Sequence, residues 1–133
     1  MKLVLDASVA VAAARSGEPA HRPARSRVES ILTGRDEVVV PALFSVEVAA
    51  PLARADVAPQ TIRRYVKELL AAATVVPLGP RAARQARETA IHWKLRAADA
   101  VYVWLAERDD VPLCTLDREI ERRVFGACTV VAP

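Results

Sequence analysis

Short apolar runs alternate along the chain with longer stretches whose hydrophobic positions recur every three or four residues. The runs predict strands: Leu3–Leu5, Val38–Val40, Val75–Val76, Pro112–Thr115 and Cys128–Val131. The longer stretches predict helices, placed by their breakers and caps. Ser8 can cap a short helix reaching Arg15, and Gly17, Glu18 and Pro19 then form a loop. A second helix runs from Ala20 to Leu32, with Val28, Ile31 and Leu32 on its apolar face, and Gly34 ends it. Pro41 stops the second strand, and a helix spans Ala42 to Arg54. The helix opened by Pro59 carries the stripe Ile62, Val66, Leu69, Leu70. Further helices run from Pro80 to His92, from Arg96 through Val101, Tyr102, Trp104 and Leu105, and from Arg118 to Val124. Strands alternating with helices argue for βαβ units. The expected fold is a single α/β domain over residues 1–133, a three-layer α/β/α sandwich with a mainly parallel sheet.

Composition changes this picture little. At 133 residues, 53% hydrophobic and 26% charged, the chain can build one core without metal or disulfide staples. No apolar run is long enough to span a membrane. The first fourteen residues faintly imitate a signal peptide, but Asp6 interrupts them. Cys114 and Cys128 lack metal-ligand spacing and sit among apolar residues, as expected of free thiols. The expected location is the cytoplasm. The formal charge is +3, and nearly all the cations are Arg, which suits phosphate through its planar fork. Many Arg and Ala residues also accompany a GC-rich genome, so the excess alone is a weak hint of a polyanionic partner.

Four carboxylates sharpen the hint. Asp6 directly follows the first strand, and Asp117 stands two residues after Thr115 at the end of the fourth. Glu47 lies near the start of the helix after the second strand, and Asp99 in the first turn of the helix after Lys94-Leu95-Arg96. All four therefore belong to the edge formed by the strands' carboxyl ends, where open α/β sheets bind ligands. Their settings are apolar: Glu47 is the only charge between Pro41 and Pro51, and Asp99 lies in Ala-Ala-Asp-Ala-Val. Half-buried carboxylates are costly unless paired or bound to metal. An all-oxygen site suits Mg²⁺ or Mn²⁺ rather than zinc. Each also has a structural reading: Asp6 and Asp117 as helix caps, Glu47 paired with a buried Arg, Asp99 as a charge favoured by the helix macrodipole.

Ser8 could donate to a carboxylate or to a metal-bound water, or simply cap its helix. Thr115 could orient Asp117, or serve only as a strand residue. Glu119 is a weaker acidic candidate, and Asp109-Asp110 reads as a turn. A metal-free ribonuclease would need two histidines as acid and base; neither His21 nor His92 lies in a motif. Trp93, Tyr102 and Trp104 fall at helical spacings that suit core or interface positions.

The segment Leu-Val-Leu-Asp-Ala-Ser resembles the opening motif of PIN domains. Pro41–Val48 with Glu47 resembles their second motif, Arg96-Ala-Ala-Asp-Ala the third and Thr115-Leu-Asp117 the fourth, in order along the whole chain. A compact chain of this kind is similar to the toxins of bacterial VapBC toxin–antitoxin modules. The resemblance implies RNA cleavage dependent on Mg²⁺ or Mn²⁺, with Asp6, Glu47, Asp99 and Asp117 as metal-binding and catalytic residues. It further implies a homodimer and inhibition by a cognate antitoxin. Arg15, Arg25, Arg96 and Arg118 are the candidates to hold the RNA backbone. The helices at 28–32 and 62–70 are the candidate dimer faces, and the helices around Ala49, Leu52 and Val103 could line an antitoxin groove. Two rivals remain. A receiver-like or phosphatase-like domain would want paired acids at the first strand, where only Asp6 stands. The other is a non-catalytic PIN-like module that binds RNA or protein.

Overall fold

A computed structural model describes all residues, 1–133. Its elements run β1 (Lys2–Leu5), α1 (Ala7–Ala14), α2 (His21–Leu32), β2 (Glu37–Pro41), α3 (Phe44–Arg54), α4 (Pro59–Ala71), β3 (Ala73–Val76), α5 (Pro80–Trp93), α6 (Ala97–Asp109), β4 (Leu113–Cys114), α7 (Arg118–Arg123) and β5 (Val130–Val131). The five strands form one parallel sheet in the order β3-β2-β1-β4-β5. Strand β1 is central, and Leu3, Val4 and Leu5 are buried, as a parallel strand covered on both faces requires. The chain steps outward from β1 to β3, then crosses back to β4. Right-handed crossovers therefore place α1–α4 on one face and α5–α7 on the other. The packing of α1 on α2 and α3, of α3 on α4, and of α5 on α6 agrees with these three layers.

Helix α6 is the buried spine of the second face, lying against β1, β2 and β4. Every residue from Ala100 to Ala106 is buried, so the apolar stripe expected from Val101, Tyr102, Trp104 and Leu105 is in fact a full circumference. Each fully buried Leu or Val contributes roughly 1.5–3 kcal/mol through the area it removes from water. A side-chain bond ties helices within each outer layer: Trp104 Nε1 of α6 donates to Gln85 Oε1 of α5 at 3.0 Å, and the Tyr65 hydroxyl of α4 donates to the Ala10 carbonyl of α1 at 2.6 Å.

Several boundaries differ from the sequence reading. Strand β2 continues through Pro41, which pairs with Val76. The ladder with β1 ends at Val4↔Val39, so the N–H that Pro41 lacks has no partner strand to miss. Strand β3 begins earlier, at Ala73, while β4 and β5 shorten to two residues each. Before β5 the chain turns through Gly126 at φ 89°, which leaves Cys128 outside the strand. Ser8 does not cap α1. Asp6 occupies the N-cap position, and its side chain makes no capping bond. Both cysteines are free thiols. The expected dimer faces are largely spent inside the protomer, since Val28, Ile31, Ile62 and Leu69 are core residues. No helix is long and apolar enough to cross a membrane.

Candidate active site

Each of the four carboxylates stands at the start of a helix that follows the sheet's carboxyl edge or packs beside it. Asp6 and Asp117 are the N-cap residues of α1 and α7, and Glu47 and Asp99 lie in the first turns of α3 and α6. Helix N-termini favour negative charge, which offsets part of the cost of gathering the acids. All four line one open cavity of about 450 Å³, together with Ser8 and Glu18.

A hydrogen-bond lattice fixes the Asp6 side. Asp6 Oδ2 accepts from Ser8 Oγ at 2.7 Å and from Thr115 Oγ1 at 2.6 Å. Thr115 Oγ1 in turn accepts from the Asp117 N–H at 3.0 Å, and Ser8 Oγ from the Leu116 N–H at 3.2 Å. Ser8 thus orients a carboxylate instead of capping its helix. Thr115 joins the settings of Asp6 and Asp117 in one buried hydroxyl. Asp117 Oδ1 does cap α7, accepting from Glu119 N at 2.8 Å and Ile120 N at 3.4 Å. These bonds use one oxygen of each aspartate and leave the other to the cavity.

No basic side chain forms an ion pair with any of the four carboxylates. Burial raises the Asp99 carboxyl to about 6, reinforced by Asp117, Asp6 and Glu119 and opposed by Arg96. Burial also raises Glu47; the nearby Tyr102 hydroxyl opposes the shift, while Asp6 and Asp99 add to it. Asp36, at the start of β2, shows the contrast: the Met1 ammonium at 2.9 Å and Arg27 at 2.8 Å hold its carboxyl at about 2. Nowhere does the chain bring three Asp, Glu, His or Cys side chains within common reach of one ion. An all-oxygen set that is spread out, mutually repelling and short of partners still fits a small hard cation that keeps several waters. Glu47 Oε1, buried without a hydrogen bond, is one such unfilled acceptor.

The remaining expected residues divide. Arg15 pairs at 3.0 Å with Glu18, a lining residue of the cavity. Arg96 is the N-cap of α6, its side chain 82% exposed and 3.7 Å from Glu119. Arg118 follows Asp117 and lines a neighbouring cavity of about 410 Å³. Arg25 is instead paired with Glu29 along α2 at 3.0 Å, away from the lining residues. His21 Nδ1 meets the Ala12 carbonyl at 2.9 Å, and His92 packs edge-on against Trp93; neither lines the cavity. Asp109 pairs with Arg108 at 2.7 Å. The sequence reading passed over Glu18, which looked like loop punctuation beside Gly17 and Pro19. It also passed over the polar end of Tyr102, whose helical spacing marked it as core.

Comparison with known proteins places the fold. The PIN domain family model matches residues 3–126. VapC20 of Mycobacterium tuberculosis, a Sarcin-Ricin loop cleaving toxin, superposes with a TM-score of 0.75 at 15% identity, covering 90% of this chain and 93% of that one. VapBC2 from Rickettsia felis, bound to a DNA fragment from its promoter, gives 0.73 at 10% identity, with coverage of 100% and 99%. PAE2754 from Pyrobaculum aerophilum gives 0.71 at 21% identity, with coverage of 98% and 84%. At these identities the likeness is one of fold. No curated protein matches by sequence at a significant level.

Proposed function

The chain belongs to the PIN domain family, and on that premise we propose that it is a metal-dependent endoribonuclease, the toxin of a bacterial type II toxin–antitoxin pair, with residues 1–133 forming its single nuclease domain. The observation that carries the reading is the convergence of Asp6, Glu47, Asp99 and Asp117 from four helix starts on one cavity.

These four side chains would hold one or two Mg²⁺ or Mn²⁺ ions between them, no more than two carboxylates to an ion and water completing each coordination shell. A bound ion of this kind activates water, orients a phosphodiester and neutralises charge on the leaving oxygen. The chain's own residues supply the rest. Ser8 and Thr115 hold the Asp6 carboxylate at a fixed angle. The N-terminus of α7 fixes Asp117. Arg96 and Arg118 flank the acids on solvent-exposed stems and can clamp the RNA backbone, and Arg15 can do so by leaving Glu18. RNA cleavage by the purified protein should cease with a chelator and return with added Mg²⁺ or Mn²⁺ but not with metal-free buffer. Cleavage that survives the chelator would contradict the reading.

Relatives of this fold were solved as toxin–antitoxin complexes, among them one from Klebsiella pneumoniae. The partner we propose here is likewise an antitoxin that places an Arg or Lys among the four carboxylates, where charge-assisted bonds are roughly twice as strong as neutral ones. Leu52 and Val103 cannot line its groove, because both are core residues. Ala49 does line an apolar channel between α3 and α4, with Ala53, Val57 and Ile62, of about 460 Å³. In a cleavage assay titrated with the cognate antitoxin, inhibition should weaken when its basic residues are replaced by Ala. Full inhibition without them would mean occlusion by bulk. A cytoplasmic homodimer completes the proposal. Leu32, Val46, Val75, Leu78, Ile91 and Phe125 are among the exposed apolar residues available to its interface.

A further inference from the structure

Three side-chain polar atoms sealed from solvent have no hydrogen-bond partner: Arg27 Nε, Glu47 Oε1 and the Tyr102 hydroxyl. Two of the three are neighbours beside the acidic cavity. Tyr102 is wholly buried in α6, three residues beyond Asp99. Its hydroxyl stands near Glu47, with Asp6 and the Ala7 backbone close by, yet the geometry falls short of a hydrogen bond. A buried donor left unpaired costs about 1–3 kcal/mol. Phe would fill the same space without that cost, so the hydroxyl implies a state in which it is paired.

Two of the three aspartates of the site indicate what that state is. Asp6 is oriented by Ser8 and Thr115, and Asp117 by the N–H groups of α7. Glu47 Oε1 has no such support. We propose that Tyr102 is a positioning residue, whose hydroxyl donates to Glu47 Oε1 when the site holds its divalent cation and so fixes a carboxylate that no other side chain orients. The inference rests on the metal-site reading above. A phenol is protonated at neutral pH even in water, and burial strengthens that preference, so Tyr102 is available as a donor. The closing movement is small, because the terminal torsion of a glutamate is soft.

The test is Mn²⁺ binding, measured by calorimetry on the whole chain for the wild type, Tyr102→Phe, Glu47→Ala and the double variant. The Tyr102→Phe protein should melt, metal-free, at or above the wild-type temperature. It should bind Mn²⁺ about tenfold more weakly, the lower end of what losing a ligand's orienting partner costs. In the Glu47→Ala background the same change should cost nothing further, because Tyr102 acts through Glu47. Unchanged affinity in Tyr102→Phe, additive losses in the double variant, or a lowered metal-free melting temperature would each overturn the assignment. If the wild type binds no Mn²⁺, the metal-site reading itself fails. If Glu47→Ala weakens binding and Tyr102→Phe does not, the site stands and only the role of Tyr102 is lost.

Discussion

Asp6→Asn is expected to reduce RNA cleavage by about 10²–10³-fold, the loss of roughly 3–4 kcal/mol of the several that a catalytic metal supplies. The fold should survive, because Asn keeps an oxygen that Ser8 and Thr115 can reach. Asp99→Asn should lose activity similarly but gain stability when no metal is present. The Asp99 carboxyl is held at about 6 against an ordinary value of 3.8, so the fold favours its protonated form. Its contribution to stability is fully present below pH 3.8 and lost as pH rises through 6. The metal-free wild type therefore carries the penalty at neutral pH. Removing the charge should recover on the order of 1–2 kcal/mol after solvent screening, a few degrees in Tm. The gain should vanish by about pH 4. Melting curves at pH 4 and pH 8 check this; a variant no more stable than wild type at pH 8 would show that the acids do not strain one another.

Thr115→Val is expected to be the most damaging change outside the carboxylates. Its buried hydroxyl donates to Asp6 at 2.6 Å and accepts from the Asp117 N–H at 3.0 Å, so one atom sets the angle between the ends of β1 and β4. A hydrogen bond to a charged group contributes about 1.5–3 kcal/mol, and Val leaves the Asp117 N–H unpaired as well. Loss of such an orienting partner typically lowers metal affinity or activity by about 10–100-fold. Thr115→Ser should restore most of both. Ser8→Ala should cost less, because Thr115 still holds Asp6 Oδ2. Comparing metal affinity and Tm across the three variants checks the ranking; Ser8→Ala as damaging as Thr115→Val would contradict it.

The order of the elements was legible because β1, β2 and β3 carry β-branched or leucine runs closed by Asp6, Pro41 and Pro77. Strand ends were legible only to within two or three residues. In β4 and β5 the pairing stops where the neighbour ends, a fact of the sheet and not of the run itself. That the four carboxylates share one edge was legible because Asp6, Glu47 and Asp117 closely follow strand ends and Asp99 opens a helix, with Asp6, Glu47 and Asp99 set among apolar residues. The double role of Thr115 was half visible: its place before Asp117 pointed there, but its bond to Asp6 crosses 109 residues of chain. Dimer faces could not be read from helical stripes, since one stripe serves core and interface alike; Ile62 and Leu69 went to the core. The Tyr102 hydroxyl was hidden for the same reason, because an aromatic ring at a core position carries no sign in the sequence of where its polar end arrives.

The proposed function requires that the four carboxylates make one metal-dependent hydrolytic site for RNA. End-group analysis of the RNA fragments produced by the wild-type protein with Mg²⁺ or Mn²⁺ tests it most directly. Metal-assisted hydrolysis at these carboxylates should leave 5′-phosphate and 3′-hydroxyl ends, formed only with metal and absent with Asp6→Asn. Fragments ending in 2′,3′-cyclic phosphate, or RNA bound in the presence of metal and left uncut, would contradict it.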